Sequence, residues 1–404
     1  MNVRRSAAAL AAVGVLAAAS PALAADPSPS ASPVLPSGLY GSTDPKYDGV
    51  WRQSLALLAQ RSTGYVPAAK AVDWLTGQQC ANGAFPAFRP DPAKACDSKV
   101  MVDTNSTAAA VQALQAVGGQ SGSTAKAVGW LKSVQNTDGG WGYTAGGPSD
   151  ANSTSVVIGA LTAAGQKPAD VVKGSKSPYD ALLKLALPCT GDDAGAFAYQ
   201  PDKKGKLTAN ADATAAAVVG VLGQGLDAGA GRKADAACTD SDKPTPAQAA
   251  AGGASYLAHA VAEDGHLTSA LPGAPAQPDY GNTADAVVAL AAQGGAEQAQ
   301  KPLEWLEKNA AAWAKQSGPA AYAQLIFAAD AMGTDPRDFG GTDLVRALNA
   351  TGPAPQAAKD SAKSETKKDD GDSGINVWWI VGTGLVAGIG IGFLLSGRRK
   401  QQQL

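Results

Sequence analysis

Four segments of the chain repeat one pattern. "DTNSTAAAVQAL" begins at Asp103, "DANSTSVVIGAL" at Asp150, "NADATAAAVVGV" at Asn210 and "DYGNTADAVVAL" at Asp279, so the copies lie 47, 60 and 69 residues apart. Self-similarity at such a period marks an architecture of stacked units, each unable to bury its apolar face alone. Every copy opens on Asp or Asn, a helix N-cap residue, and places a Thr four residues on. Gly118, Gly165, Gly225 and Gly294 each fall eleven residues after that Thr, where a helix would end.

Two weaker copies fit the same ruler: "GVWRQSLALLAQRSTG", ending at Gly64, and "SGPAAYAQLIFAADAMG", ending at Gly333. Each of the six is followed by a second helical segment, over 67–77, 125–134, 178–187, 247–260, 301–312 and 342–348. The first kind of helix is nearly apolar all round and belongs inside; the second mixes charge with an apolar stripe and belongs outside. The expected fold is all-α: a six-hairpin α/α toroid of six inner and six outer helices, with a C-terminal transmembrane helix beyond it.

The ends read differently from the body. Arg4 and Arg5, the apolar run 7–19 and Ala22-Leu23-Ala24 make residues 1–24 a signal peptide. A Pro/Ser-rich linker covers 25–38, the toroid ectodomain 39–351, and a charged flexible linker 352–374. Residues 375–395 carry no charge, are about 31 Å long as a helix, and precede Arg398, Arg399 and Lys400 in a basic cytoplasmic tail, 396–404. The expected location is therefore the cell membrane, single-pass, with the N-terminal domain outside. Gly384, Gly388 and Gly392 recur every four residues in the span, a smooth face that would dock on a transporter subunit or a second copy.

Four cysteines in an exported chain suggest two disulfides. Cys80 and Cys96 flank one loop, which favours their pairing; Cys189 and Cys238 are then left for each other, with that second pairing still open. A net charge of −2 offers no electrostatic footprint for nucleic acid.

The connections carry a further phrase. Trp130-Leu131, Gln135, Gly140 and Trp141 recur as Trp74-Leu75, Gln79, Gly83 and Phe85, and again as Tyr256-Leu257, Val261, Gly265 and Leu267. This resembles the QW repeat, or prenyltransferase/squalene oxidase repeat, of the prenyltransferase, squalene cyclase and terpene cyclase superfamily. The resemblance implies an α/α toroid in which Gln135 binds the backbone at the start of the next inner helix and Trp141 packs beneath it.

It also implies chemistries that these residues do not complete. Class II cyclases resemble one another in a DxDD acid motif, whereas the aligned windows here run Asp103-Thr104-Asn105-Ser106, Asp150-Ala151-Asn152-Ser153, Asn210-Ala211-Asp212-Ala213 and Asp279-Tyr280-Gly281-Asn282. Asp212 alone stands in the acid's place. The inner helices offer mainly Ala, Val and Leu, with few aromatic faces for a carbocation. Zinc ligands of the prenyltransferase kind are missing too: the histidines are His259 and His266, and the cysteines are expected in bridges.

The style of "VDTNSTAAAVQAL" also resembles the toroid domains of cobalamin carriers such as intrinsic factor and transcobalamin. That likeness implies a noncatalytic capture protein with no metal site or cofactor of its own and with cobalamin as a possible ligand, His266 being the loop histidine able to reach its metal. Parallel inner helices would gather Asn105, Ser106, Asn152, Ser153, Asp212 and Asn282 at one mouth beside Phe85, Trp141, Tyr143 and Tyr280, the expected ligand contacts. The alternatives are an extracytoplasmic enzyme acting on an isoprenoid or a glycan, and an inert surface scaffold.

Overall fold

The computed structural model describes residues 37–232, 237–269 and 275–357. The signal peptide, the span with Gly384, Gly388 and Gly392, and the basic tail lie outside the described residues. Among the described residues, no helix is long and apolar enough to cross a membrane.

Six helices form the inner wall: α1 (Gly49–Ser62), α3 (Thr104–Val117), α5 (Ala151–Ala163), α7 (Ala211–Val221), α9 (Tyr280–Ala292) and α12 (Pro319–Met332). Each packs on the next, and α12 packs back on α1, so the ring closes. Outside lie α2 (Ala69–Gly77), α4 (Ser121–Ser133), α6 (Pro178–Leu183), α8 (Pro246–Ala260), α10 (Ala296–Asn309), α11 (Ala311–Ser317) and α13 (Leu344–Asn349). The described residues are thus mostly helical, in an α/α toroid. Alanine dominates the inner wall because its methyl lets adjacent helices approach; Ala108, Ala109, Ala110, Ala286 and Ala289 are fully buried.

Some boundaries differ from expectation. The fifth outer segment is two helices, α10 and α11, hinged at Ala310, and the third outer helix stops at Leu183. The fourth inner helix ends at Val221, where Gly223 takes a positive φ, so Gly225 lies beyond the helix and serves another purpose.

Asp103, Asp150, Asn210 and Asp279 cap α3, α5, α7 and α9, accepting from the backbone N–H groups of Ser106, Ser153, Ala213 and Asn282 at 2.6–3.0 Å. The Thr four residues later does something the sequence did not disclose. Thr107, Thr154, Thr214 and Thr283 accept the backbone N–H of Phe85, Trp141, Phe197 and Leu267 at 2.9–3.1 Å. These are the aromatic positions of the repeat, with Phe197 supplying the third copy. The same loops reach backwards: the carbonyls of Ala87, Tyr143 and Tyr199 accept from Val50, Thr104 and Ala151 in the first turn of the preceding inner helix. The loops at Phe85, Trp141 and Phe197 therefore each tie two neighbouring inner helices by their N-terminal ends.

Trp141, 1 % exposed, donates its indole N–H to Leu131 O at 2.7 Å. Gln135 donates to Gly139 O and Val171 O, and Gln79 to Gly83 O and Ser123 O. The glutamine thus pins its own turn to the outer segment of the next hairpin rather than to its inner helix. Where the fourth copy has Val261, Lys301 of α10 substitutes, its ammonium bonding Ala262 O and Glu263 O.

Among the described residues three antiparallel ribbons trim the loops: β1 (Tyr65–Val66) with β6 (Gln356–Ala357), β2 (Phe85–Pro86) with β3 (Val102–Asp103), and β4 (Leu267–Ser269) with β5 (Gln277–Asp279). The first joins the two ends of the described domain, six residues beyond the expected end at Thr351. Tyr40 joins them again, donating its hydroxyl to Pro353 O at 2.5 Å and accepting from Gln60 at 3.0 Å. Both disulfides are present, Cys80–Cys96 with Cα atoms 5.6 Å apart and Cys189–Cys238 with 5.4 Å.

Candidate functional site

A cavity of ≈ 210 Å³ lies on the ring axis, walled mainly by the N-terminal halves of the inner helices. Its polar lining is Asn105 of α3, Asn152 and Ser155 of α5, Asp212 of α7, Asp285 of α9, and Gln324 of α12, with Gln224 from the loop after α7. Trp51 of α1 and Phe327 of α12 add aromatic wall. Among the described residues, no Lys, Arg or His lines it.

The floor is the segment 224–226, which crosses the ring interior after α7. Gln112 holds it, accepting from Leu226 N at 2.8 Å while donating to Val156 O at 3.0 Å. Gly159 and Gly225 make the crossing possible: a Cβ on Gly159 would stand 2.8 Å from Gly225 Cα, and one on Gly225 2.5 Å from Gln112 Oε1. Beneath the floor lies a separate hollow lined by Leu58, Gln115, Thr162 and Asp227.

The two carboxyl groups are held by amides. Asn152 Nδ2 donates to Asp212 Oδ2 at 2.7 Å, and Gln324 Nε2 reaches Asp285 at 3.2 and 3.3 Å. Asp285 keeps one face on the cavity yet sits deep in the ring. Burial pushes its carboxyl up to about 7, with the charge of Asp212 adding to the rise and the Gln324 amide opposing it. Burial likewise raises Asp212, against the Asn152 hydrogen bond.

The structure gathers three of the expected ligand contacts, Asn105, Asn152 and Asp212, around this cavity. It does not bring the other seven into the lining. Phe85, Trp141, Ser106 and Ser153 are buried in the wall; Asn282 bonds its own cap, Asp279; Tyr143 is half-exposed above α3. Tyr280 lies between Trp305 and Trp313, with centroids at 4.9 and 5.5 Å, and His266 leans on Trp305 at 4.3 Å. Sequence reasoning missed Asp285, Gln324, Ser155, Trp51 and Phe327. An acid in the second turn of an otherwise apolar inner helix was the available signal for Asp285. Trp51 and Phe327 belong to the two weakest copies and supply the aromatic faces that the strong copies lack.

No profile of a known protein family matches the chain, and no curated protein sequence matches it. Solved structures do resemble it. The ent-copalyl diphosphate synthase from Streptomyces platensis superposes with a TM-score of 0.47 at 15% identity, over 70% of this chain and 50% of the synthase, so the chain spans half that protein's length. A sugar epimerase from a ruminal bacterium gives 0.43 at 16% identity over 67% of this chain and 80% of its own. A glycosidase gives 0.42 at 13% identity over 73% of this chain and 88% of its own. At such scores no activity transfers from these neighbours, and the class of the protein, a closed α/α toroid with an axial cavity, rests on its own ring.

Proposed function

We propose that the toroid captures a small ligand in its axial cavity, outside the cell, on a chain anchored by its apolar 375–395 segment. The observation that carries this reading is the floored cavity, lined by Asp212, Asp285, Asn105 and Asn152 and built from five or more separate helices for no evident structural gain. Two carboxyl groups grouped inside a fold are costly to charge, and the single amide that meets each of them offsets that cost without making the pair a stabilising device. The two disulfides support the external address. A docking partner for the glycine face, whether a transporter subunit or a second copy, belongs to the same reading. A corrin is too bulky for the cavity, so cobalamin would have to lie across the mouth.

One observation favours acid catalysis on an isoprenoid or glycan instead: a carboxyl near neutral pKa beside another acid. One feature favours capture: the cavity is below the roughly 300–1,000 Å³ usual for pockets that engulf larger ligands such as a polyprenyl chain or a glycan. The test is to purify the full chain and an Ala216→Phe variant, which fills the cavity from α7, and to identify retained small molecules by mass spectrometry. A molecule held by the wild type and lost in the variant is expected. Identical retention by both, or turnover of a polyprenyl substrate or glycan that vanishes with Asp285→Asn, would sink the capture reading.

A further inference from the structure

Resting on the capture reading, we infer that the ligand enters this cavity by an organic ammonium head bearing N–H donors. The hydrogen-bond inventory of the wall leads there. One amide N–H of Asn152 and one of Gln324 are spent on Asp212 and Asp285. What remains is rich in acceptors: the Oδ1 atoms of Asn105 and Asn152 are buried with no partner, as is the Oγ of Ser155, a residue only 6 % exposed. A buried oxygen without a partner is costly, and with the carboxyl groups of Asp212 and Asp285 beside them these oxygens leave the wall poorer in donors than in acceptors.

Charge narrows the class. An anion would face Asp212 and Asp285 with no Lys, Arg or His among the described residues of the lining to receive it. A neutral polyol could use the acceptors but would leave the two acids uncompensated. Among the described residues no group of three or more His, Cys, Asp or Glu is placed to hold a metal ion, and much of the wall is hydrocarbon, from Leu55, Ala216, Val219, Leu226 and Val288. A cation with a short carbon stem matches both halves of that lining, and the rings of Trp51 and Phe327 add faces that attract positive charge.

The proton follows from the same balance. The charged groups acting on Asp285 are Asp212 on α7 and Asp279 at the head of α9; α12 offers the uncharged Gln324 and α1 the uncharged Trp51. With no cation among them, the empty pair retains a proton near neutrality. An incoming ammonium supplies the missing positive charge, so the carboxyl proton leaves to solvent as it binds.

The experiment is calorimetric titration of the full chain with n-butylammonium, with 1-butanol as its uncharged analogue, and with potassium and magnesium chloride. Runs in buffers of different ionisation heat at about pH 6, below the raised carboxyl value, read the released proton. The amine is expected to bind, the alcohol to bind at least about tenfold more weakly, and proton release to accompany the amine alone. Asp212→Asn and Asp285→Asn, which keep size and shape, are each expected to weaken the amine by about tenfold or more, and Asp285→Asn to remove the proton signal. Melting temperatures of both variants report folding, and Gln115→Ala, in the hollow below the floor, is the variant expected to change nothing. Equal affinity for amine and alcohol, or undiminished amine binding by folded acid variants, overturns the ammonium inference while capture survives if Ala216→Phe abolishes both. Preference for either metal salt overturns it as well. No binding of any probe at millimolar concentration, with Ala216→Phe retaining whatever the wild type retains, overturns both.

Discussion

At the scale of single residues, Asp285 and Thr214 illustrate two uses of a polar group inside an alanine-rich wall. Asp285 has a folded-state pKa of about 7, above its ordinary value of 3.8. The unfolded chain therefore gives up this proton at lower pH than the folded one. Its favourable contribution is fully present below the unfolded value and is lost as pH rises through the folded value. Asp103, raised to about 6 by burial, acts in the same direction. The melting temperature is thus expected to fall as pH is raised from about 4 to about 8, and Asp285→Asn to flatten much of that slope; an unchanged slope in the variant would remove Asp285 from the account. Thr214 accepts the buried N–H of Phe197 and donates to Asn210 O at 2.7 Å. Thr214→Val keeps the shape but strands that N–H, an expected loss of about 1–3 kcal/mol in urea unfolding. Thr214→Ser, retaining the hydroxyl, should recover most of it.

At the scale of elements, the inner helices are set by their ends rather than by their faces. Caps and the Thr clip recur at α3, α5, α7 and α9, whereas their sides are so uniformly apolar that helix rotation leaves no trace in the sequence. The caps, the Thr spacing and the alternation of inner and outer segments were therefore legible as sequence. Which side chains turn toward the axis was not, and this is why Asp285 and Gln324 escaped notice. The loop between α2 and α3 is long and is closed by Cys80–Cys96, a sequence separation of 16. Replacing both cysteines by serine is expected to cost about 3 kcal/mol through the freedom restored to the unfolded loop. Peptide mapping without reduction confirms the bridge, and guanidinium unfolding of the double variant measures its worth. A change below measurement error would show that the loop is held by Arg89, which bonds the carbonyls of Gly77, Gln79 and Pro92.

At the scale of the whole molecule, a ring has a seam, and here it lies where the ends of the described domain meet. Gly41 N donates to Thr351 O, β6 pairs with β1, and the buried Tyr40 bonds both Gln60 of α1 and Pro353. Solenoid-like units interact chiefly with their neighbours, and the seam, where the last unit packs on the first, is what turns an array into a closed body. Tyr40→Phe should destabilise by about 1–2 kcal/mol, and amide exchange should quicken in α1, α12 and α13 before α5 and α7. Uniform acceleration around the ring would show instead that closure is cooperative throughout.

Taken alone, the amino-acid sequence determined the repeat, the capped inner helices, the alternation of two helix kinds and the Cys80–Cys96 bridge, because each is written in residues close together along the chain. Tertiary structure alone decided the cavity and its floor. Asn105, Asp212, Asp285, Gln324 and Trp51 belong to five different helices, and residues 224–226 became a floor rather than a helix end because Gly159 and Gln112, from two other helices, leave room for them and hold them. Proximity across a ring is fixed by how the units pack, and local spacing does not encode it.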